Sequence, residues 1–136
     1  MDFNMYNEID YFNNFSEESN NSLDLFSPYE GYIKGNLFKN LYQEYKNYRP
    51  SRLNVNSEKM EMLVNIGQMV FASHELNLYL DNYPNNRKAL ELFNKYSNMT
   101  NKLIKEYENK YGPLTVGGIK EDVPFNWENE KWPWEV

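Results

Sequence analysis

The sequence predicts an all-α fold: an antiparallel two-helix hairpin with a mostly irregular N-terminal arm and a Trp/Pro-rich C-terminal strap. Three observations carry this. Between residues 57 and 111 apolar side chains recur at alternating steps of three and four; that rhythm breaks once, at Asp81-Asn82-Tyr83-Pro84; and outside this region no helical or strand period persists.

The first helix is predicted over residues 57–82. Ser57 can accept an otherwise unpaired amide N–H, and Glu58 and Glu61 sit near the positive helix end. Met62, Ile66, Met69, Ser73, Leu76 and Leu80 form its apolar stripe, with Leu63 and Val70 expected to widen it. The residue before Pro84 is disfavoured in helical geometry, whereas proline itself suits the start of a new helix. The second helix is predicted over 85–111, with Ala89, Phe93, Tyr96, Thr100, Leu103 and Tyr107 at the same spacing and Gly112-Pro113 as its stop. Helices of this length, roughly 37 Å each, joined by so short a link must lie antiparallel. Pairing two helices buries one stripe on each. Aromatics in the tails, a second copy or another partner are expected to cover the remaining faces.

The flanks divide the chain into three parts: a flexible acidic arm over 1–27, an aromatic and basic docking segment over 28–53, and the hairpin with its strap over 54–136. The arm mixes Asn, Ser, Asp and Glu with scattered aromatics. The docking segment holds Gly31 and Gly35, and a short helix over 37–48 is expected there. Residues 1–30 carry seven acids and no Lys or Arg, whereas 31–52 carry Lys34, Lys39, Lys46, Arg49 and Arg52 against Glu44 alone. The strap reads VPFNWENEKWPWEV, and its prolines favour extended geometry.

Composition narrows the function classes. A length of 136 residues fits one ordinary domain with tails. With 14 basic against 20 acidic side chains, generic attraction to nucleic acid or an anionic bilayer is not expected of the whole molecule. The absence of Cys removes disulfides, thiolate zinc sites and cysteine nucleophiles. The N-terminus lacks a basic start and an apolar run, so conventional export is not expected, and no stretch approaches the ~18 apolar residues of a spanning helix. Twelve Tyr, eight Phe and three Trp instead point to a chain rich in contact-forming aromatics.

No catalytic, cofactor-binding or metal-ligating set is expected. His74-Glu75 lacks the second histidine of a zinc-protease helix, and one histidine cannot build a di-metal bundle. His74 is read as a helix-flank or packing residue. Asp81 with Glu75, and Glu106 with Glu108, are read as solvated helix surface, and Met60, Met62 and Met69 as core filling. Gly117-Gly118 is followed by no Gly-Lys-Ser/Thr phosphate cradle and is read as a turn. The residues expected to bind a partner are Gly35, Leu37, Phe38, Leu41 and Tyr42 in the docking segment, and Phe125, Trp127, Trp132, Pro133 and Trp134 in the strap.

The run ELNLYLDNYPNNRKALELFNKY, followed by KEYENKYGPL and a terminal WPWE, resembles the CotJB family of spore coat peptide assembly proteins. Leu78 to Asp81, Pro84, Ala89-Leu90, Phe93, Tyr107, Tyr111 to Leu114 and Trp132 to Glu135 carry the match, which spans about 57–135. The resemblance implies a structural protein of the bacterial endospore coat, made in the mother-cell cytoplasm and deposited in the coat, acting by protein–protein interaction and not as an enzyme. It also implies a manganese-catalase-like CotJC-type partner and a CotJA-type companion; a homo-oligomer fits the same reading. Upstream, GNLFKNLYQEYKNYRP resembles a short CotJA motif, departing from it at Asn36, Lys39 and Glu44. The alternative is a non-coat helical adaptor binding another protein or a single-stranded nucleic acid, since Lys and Arg alternate with Tyr over 32–52.

Overall fold

The computed structural model describes residues 23–115. The acidic arm up to residue 22 and the strap from residue 116 lie outside the described residues, and with them Phe125, Trp127, Trp132, Pro133 and Trp134. The described residues are helical, with no β-strand among them: α1 spans Pro28–Lys34, α2 Glu58–Asn82 and α3 Arg87–Tyr111, and Lys39–Leu41 make one 3-10 turn.

The two long helices form the expected antiparallel hairpin. Ser57 Oγ accepts the Met60 N–H at 3.2 Å and Asn86 Oδ1 accepts the Ala89 N–H at 3.1 Å, so each helix starts on a side-chain cap. Asn86 also donates from Nδ2 to Tyr79 Oη at 3.2 Å, which ties the turn back to α2. At the opposite end Gly112 closes α3 with φ 111°, a backbone conformation that glycine alone accepts without strain. There Lys110 of α3 pairs with Glu58 of α2, bringing the last turn of one helix beside the first turn of the other.

Met62, Ile66, Met69, Ala72 and Leu76 of α2 meet Ala89, Tyr96, Thr100, Leu103 and Tyr107 of α3 in one core. Ser73, Leu80 and Phe93 are half-buried at its margins. Besides Thr100, two polar residues join the core: Gln68 donates from Nε2 to Asn65 Oδ1 at 2.9 Å, and no buried side-chain polar atom among the described residues lacks a partner. Three apolar residues depart from expectation. Leu63 and Val70 do not widen the buried stripe, and Met60 does not fill the core; they are 39%, 43% and 39% exposed. The reason is tertiary. α3 and α1 both pack on α2, and together they leave these side chains partly in solvent.

The docking segment folds differently from its expectation. The helix expected over 37–48 is replaced by the single 3-10 turn, because Phe38 is extended in an isolated antiparallel bridge with Leu25 and Asn36 Oδ1 accepts the Phe38 N–H at 2.8 Å. Asn47, at φ 66°, then turns the chain through the left-handed region. The segment's helix lies earlier, in α1: Ser27 Oγ accepts the Glu30 N–H, Pro28 occupies the first turn, and Gly35 ends the helix at φ 72°. Residues 23–27 are tied to this unit, with the Phe26 N–H donating to Leu37 O and the Lys39 N–H to Asp24 O.

Candidate docking surface

The docking segment is fastened to α2 by four contacts. Leu37 is fully buried in the common core and Phe38 nearly so. The Phe38 ring stacks on Tyr79 at 5.3 Å, and Tyr79 stacks in turn on Tyr83 at 4.7 Å, so an aromatic column runs from the segment across α2 to the hairpin turn. Glu75 reaches up from α2 to accept the Leu37 N–H at 3.4 Å. At the other end of the segment Tyr32 lies over Gly67 and tilts against Phe71 at 6.2 Å. An added Cβ at Gly67 would stand 2.7 Å from the Tyr32 hydroxyl, so the bare helix backbone is what lets α1 approach α2 there.

Beyond this anchorage the segment turns its side chains outward. Leu41 is 66% exposed and Tyr45 80%. Tyr42 is half-buried, meeting Phe26 edge-on at 5.6 Å. Lys34 sits over both rings, 4.3 Å from Phe26 and 5.1 Å from Tyr42, and Lys39 caps the group by pairing with Asp24 at 3.5 Å. Gly35 is exposed at the end of α1, with open space where a side chain would be. Of the five docking-segment residues singled out from the sequence, Leu37 and Phe38 therefore point into this chain's own core, while Gly35, Leu41 and Tyr42 border solvent. The linker continues exposed through Tyr48, Leu53 and Val55, with the Leu53 N–H donating to Tyr29 Oη at 3.1 Å.

The titratable residues do not converge. His74 is exposed on α2, and Glu75, its neighbour in sequence, is engaged by the Leu37 amide. Glu108 accepts the Leu114 N–H at 3.1 Å, which folds the chain after α3 back on the helix end. Among the described residues no group of three or more His, Asp or Glu gathers as metal ligands would, and no helix is long and apolar enough to cross a membrane. Burial pushes the Tyr96 hydroxyl up to about 12, and the Glu58 carboxylate beside it raises Lys110 above the usual lysine range.

Sequence reasoning missed the anchoring role of Glu75 and Gly67. The signal for Gly67 was available, since a glycine inside a long helix that forgoes better helix formers marks a close approach. Glu75 carried no such signal, because an acid on a helix flank looks the same whether or not an amide from another segment lies above it.

No curated protein and no solved structure matches the chain significantly. A family model does match, over residues 60–135 of the 136, covering both long helices and the segment beyond them. The chain belongs to the family described as CotJB protein, and is thereby a spore-coat-related protein.

Proposed function

We propose that this protein is an assembly component of the endospore coat that works by holding other coat proteins, with no catalytic step of its own. The observation that carries the reading is the division within the docking segment: Leu37 is fully buried while Leu41, four residues on, is 66% exposed. An apolar side chain held in solvent on an anchored backbone binds at low entropic cost, because the backbone is ordered before the partner arrives. Gly35, Leu41 and Tyr42, with the strap residues Trp132, Pro133 and Trp134, make the partner-facing set, and Leu37 and Phe38 keep it in place.

The partner proposed is the manganese-catalase-like CotJC-type protein that accompanies this family, with a CotJA-type chain as a second. The domain division follows the same logic. Residues 28–53 form a CotJA-like docking unit laid on the CotJB-like hairpin, with the acidic arm before it. Synthesis in the mother-cell cytoplasm and deposition in the coat complete the reading.

The test is a calorimetric titration of the full chain with the catalase-like partner. Trp132→Ala with Trp134→Ala is expected to weaken the complex ~30-fold or more while helix content stays unchanged, since a tryptophan anchor at an interface is worth ~2 kcal/mol or more. Wild-type protein that never binds, or a double variant with unchanged affinity, would overturn it.

A further inference from the structure

One side of α2 is only partly covered by the described residues, where Tyr32 of α1 lies over Gly67. Met60, Leu63, Gly67 and Val70 follow at steps of three, four and three and so share a face, and Leu63 and Val70 are the exposed pair on either side of the glycine. Between them the Tyr32 ring fills the space over Gly67, and is itself 37% exposed. The result is an apolar platform continuous from α2 to α1, open to solvent.

The described chain ends where this platform begins. The Lys110–Glu58 pair and Lys59, whose ammonium stands 5.7 Å from the Tyr111 ring centre, set the end of α3 against the first turn of α2, next to Met60. Leu114 is half-buried against the core. Nine residues then lie between Thr115 and Phe125, ten steps along the chain. Their extended reach of roughly 33 Å exceeds the ~15 Å that Met60 to Val70 spans along the helix. Pro124 disfavours helical geometry at Val123, and in an extended chain Phe125 and Trp127 project from one side ~7 Å apart. Leu63 and Gly67 are separated by ~6 Å, so the two rings match neighbouring turns of the platform.

We infer that Phe125 and Trp127 dock on Met60, Leu63, Val70 and Tyr32 of their own chain, covering this side of α2. The tether decides the occupant. A link of this length holds the rings near the platform at an effective concentration in the mM range, which a second copy or a coat partner matches only when crowded to that level. Trp132, Pro133 and Trp134 of the partner-facing set follow Trp127 in sequence and are not part of this docking, which is therefore separate from the proposed partner contact.

The experiment uses the full chain carrying Trp132→Phe and Trp134→Phe, which leaves Trp127 as the sole tryptophan of three, read under excitation selective for indole over the tyrosines. Its emission should be blue-shifted and shielded from acrylamide at sub-micromolar concentration. Adding Leu63→Ser and Val70→Ser should lower the docked-to-free ratio ~10-fold or more, with unchanged far-UV circular dichroism because both side chains already face solvent. Three results would overturn the inference: solvent-exposed emission in the starting protein, shielding that survives the platform substitutions, or shielding that disappears on dilution, which would assign the platform to a second copy.

Discussion

Replacing Leu37 by Ala tests whether the docking segment is a unit that opens separately from the hairpin. Leu37 is fully buried, and its backbone makes bonds in both directions, donating to Glu75 and accepting from Phe26. Removing a buried leucine side chain loses its transfer free energy and leaves a cavity, together ~2–5 kcal/mol. The segment's remaining ties are the Phe38–Tyr79 stack, the Tyr32 contact at Gly67 and a few amide bonds, so most of that loss falls on docking. At ~2 kcal/mol the open population rises ~30-fold. Native-state hydrogen exchange reads this directly: the amides of Phe26, Leu37 and Lys39 should lose protection by ~30-fold or more, while those of α3 between Tyr96 and Leu103 keep theirs. Equal loss in α3 would refute the reasoning by showing segment and hairpin to be one cooperative unit. Undiminished protection at Phe26 and Lys39 would show that Leu37 is not the anchor.

Three further outcomes follow from the same contacts. Tyr96 ionises in the folded chain near 12 and near 10.0 when unfolded, so its contribution is intact below pH 10 and is lost as pH rises toward 12. Denaturant melts of wild type and Tyr96→Phe should therefore diverge over that window by roughly 2–3 kcal/mol, the wild type falling faster; parallel curves would contradict the burial of the hydroxyl. Asn86→Ala removes the α3 cap and the bond to Tyr79 together and should cost ~1–2 kcal/mol in a thermal melt, more than Ser57→Ala, whose hydroxyl serves as cap alone. Gly67→Ala should leave the hairpin as stable or up to ~1 kcal/mol more so, since alanine favours helix. The new methyl must displace the Tyr32 ring, so chemical shifts of Tyr32 and Phe71 should move while those of the α2–α3 core do not.

What the sequence determined by itself was the hairpin. Its period, its caps and its turn are local: Ser57 and Asn86 accept amides three residues ahead, and the Tyr83-Pro84 break needs no distant contact. Observed helix limits accordingly fall within two residues of those read from the sequence. α1 was also written locally, in Ser27-Pro28 and Gly35, yet a helix of seven residues carries too little periodicity to be recognised and is too short to persist without packing on α2. Tertiary structure alone decided the direction in which residues of similar chemistry point. Leu37 is buried and Leu41 exposed although both stand in one polar-aromatic run, because the bridge to Leu25 and the amide bond to Glu75 turn only the first inward. Leu63 and Val70 face out although they border the apolar stripe, because which sides of α2 are covered depends on where α1 and α3 lie. Hydrophobicity fixes that such residues seek cover; the placement of neighbouring segments fixes which of them receive it.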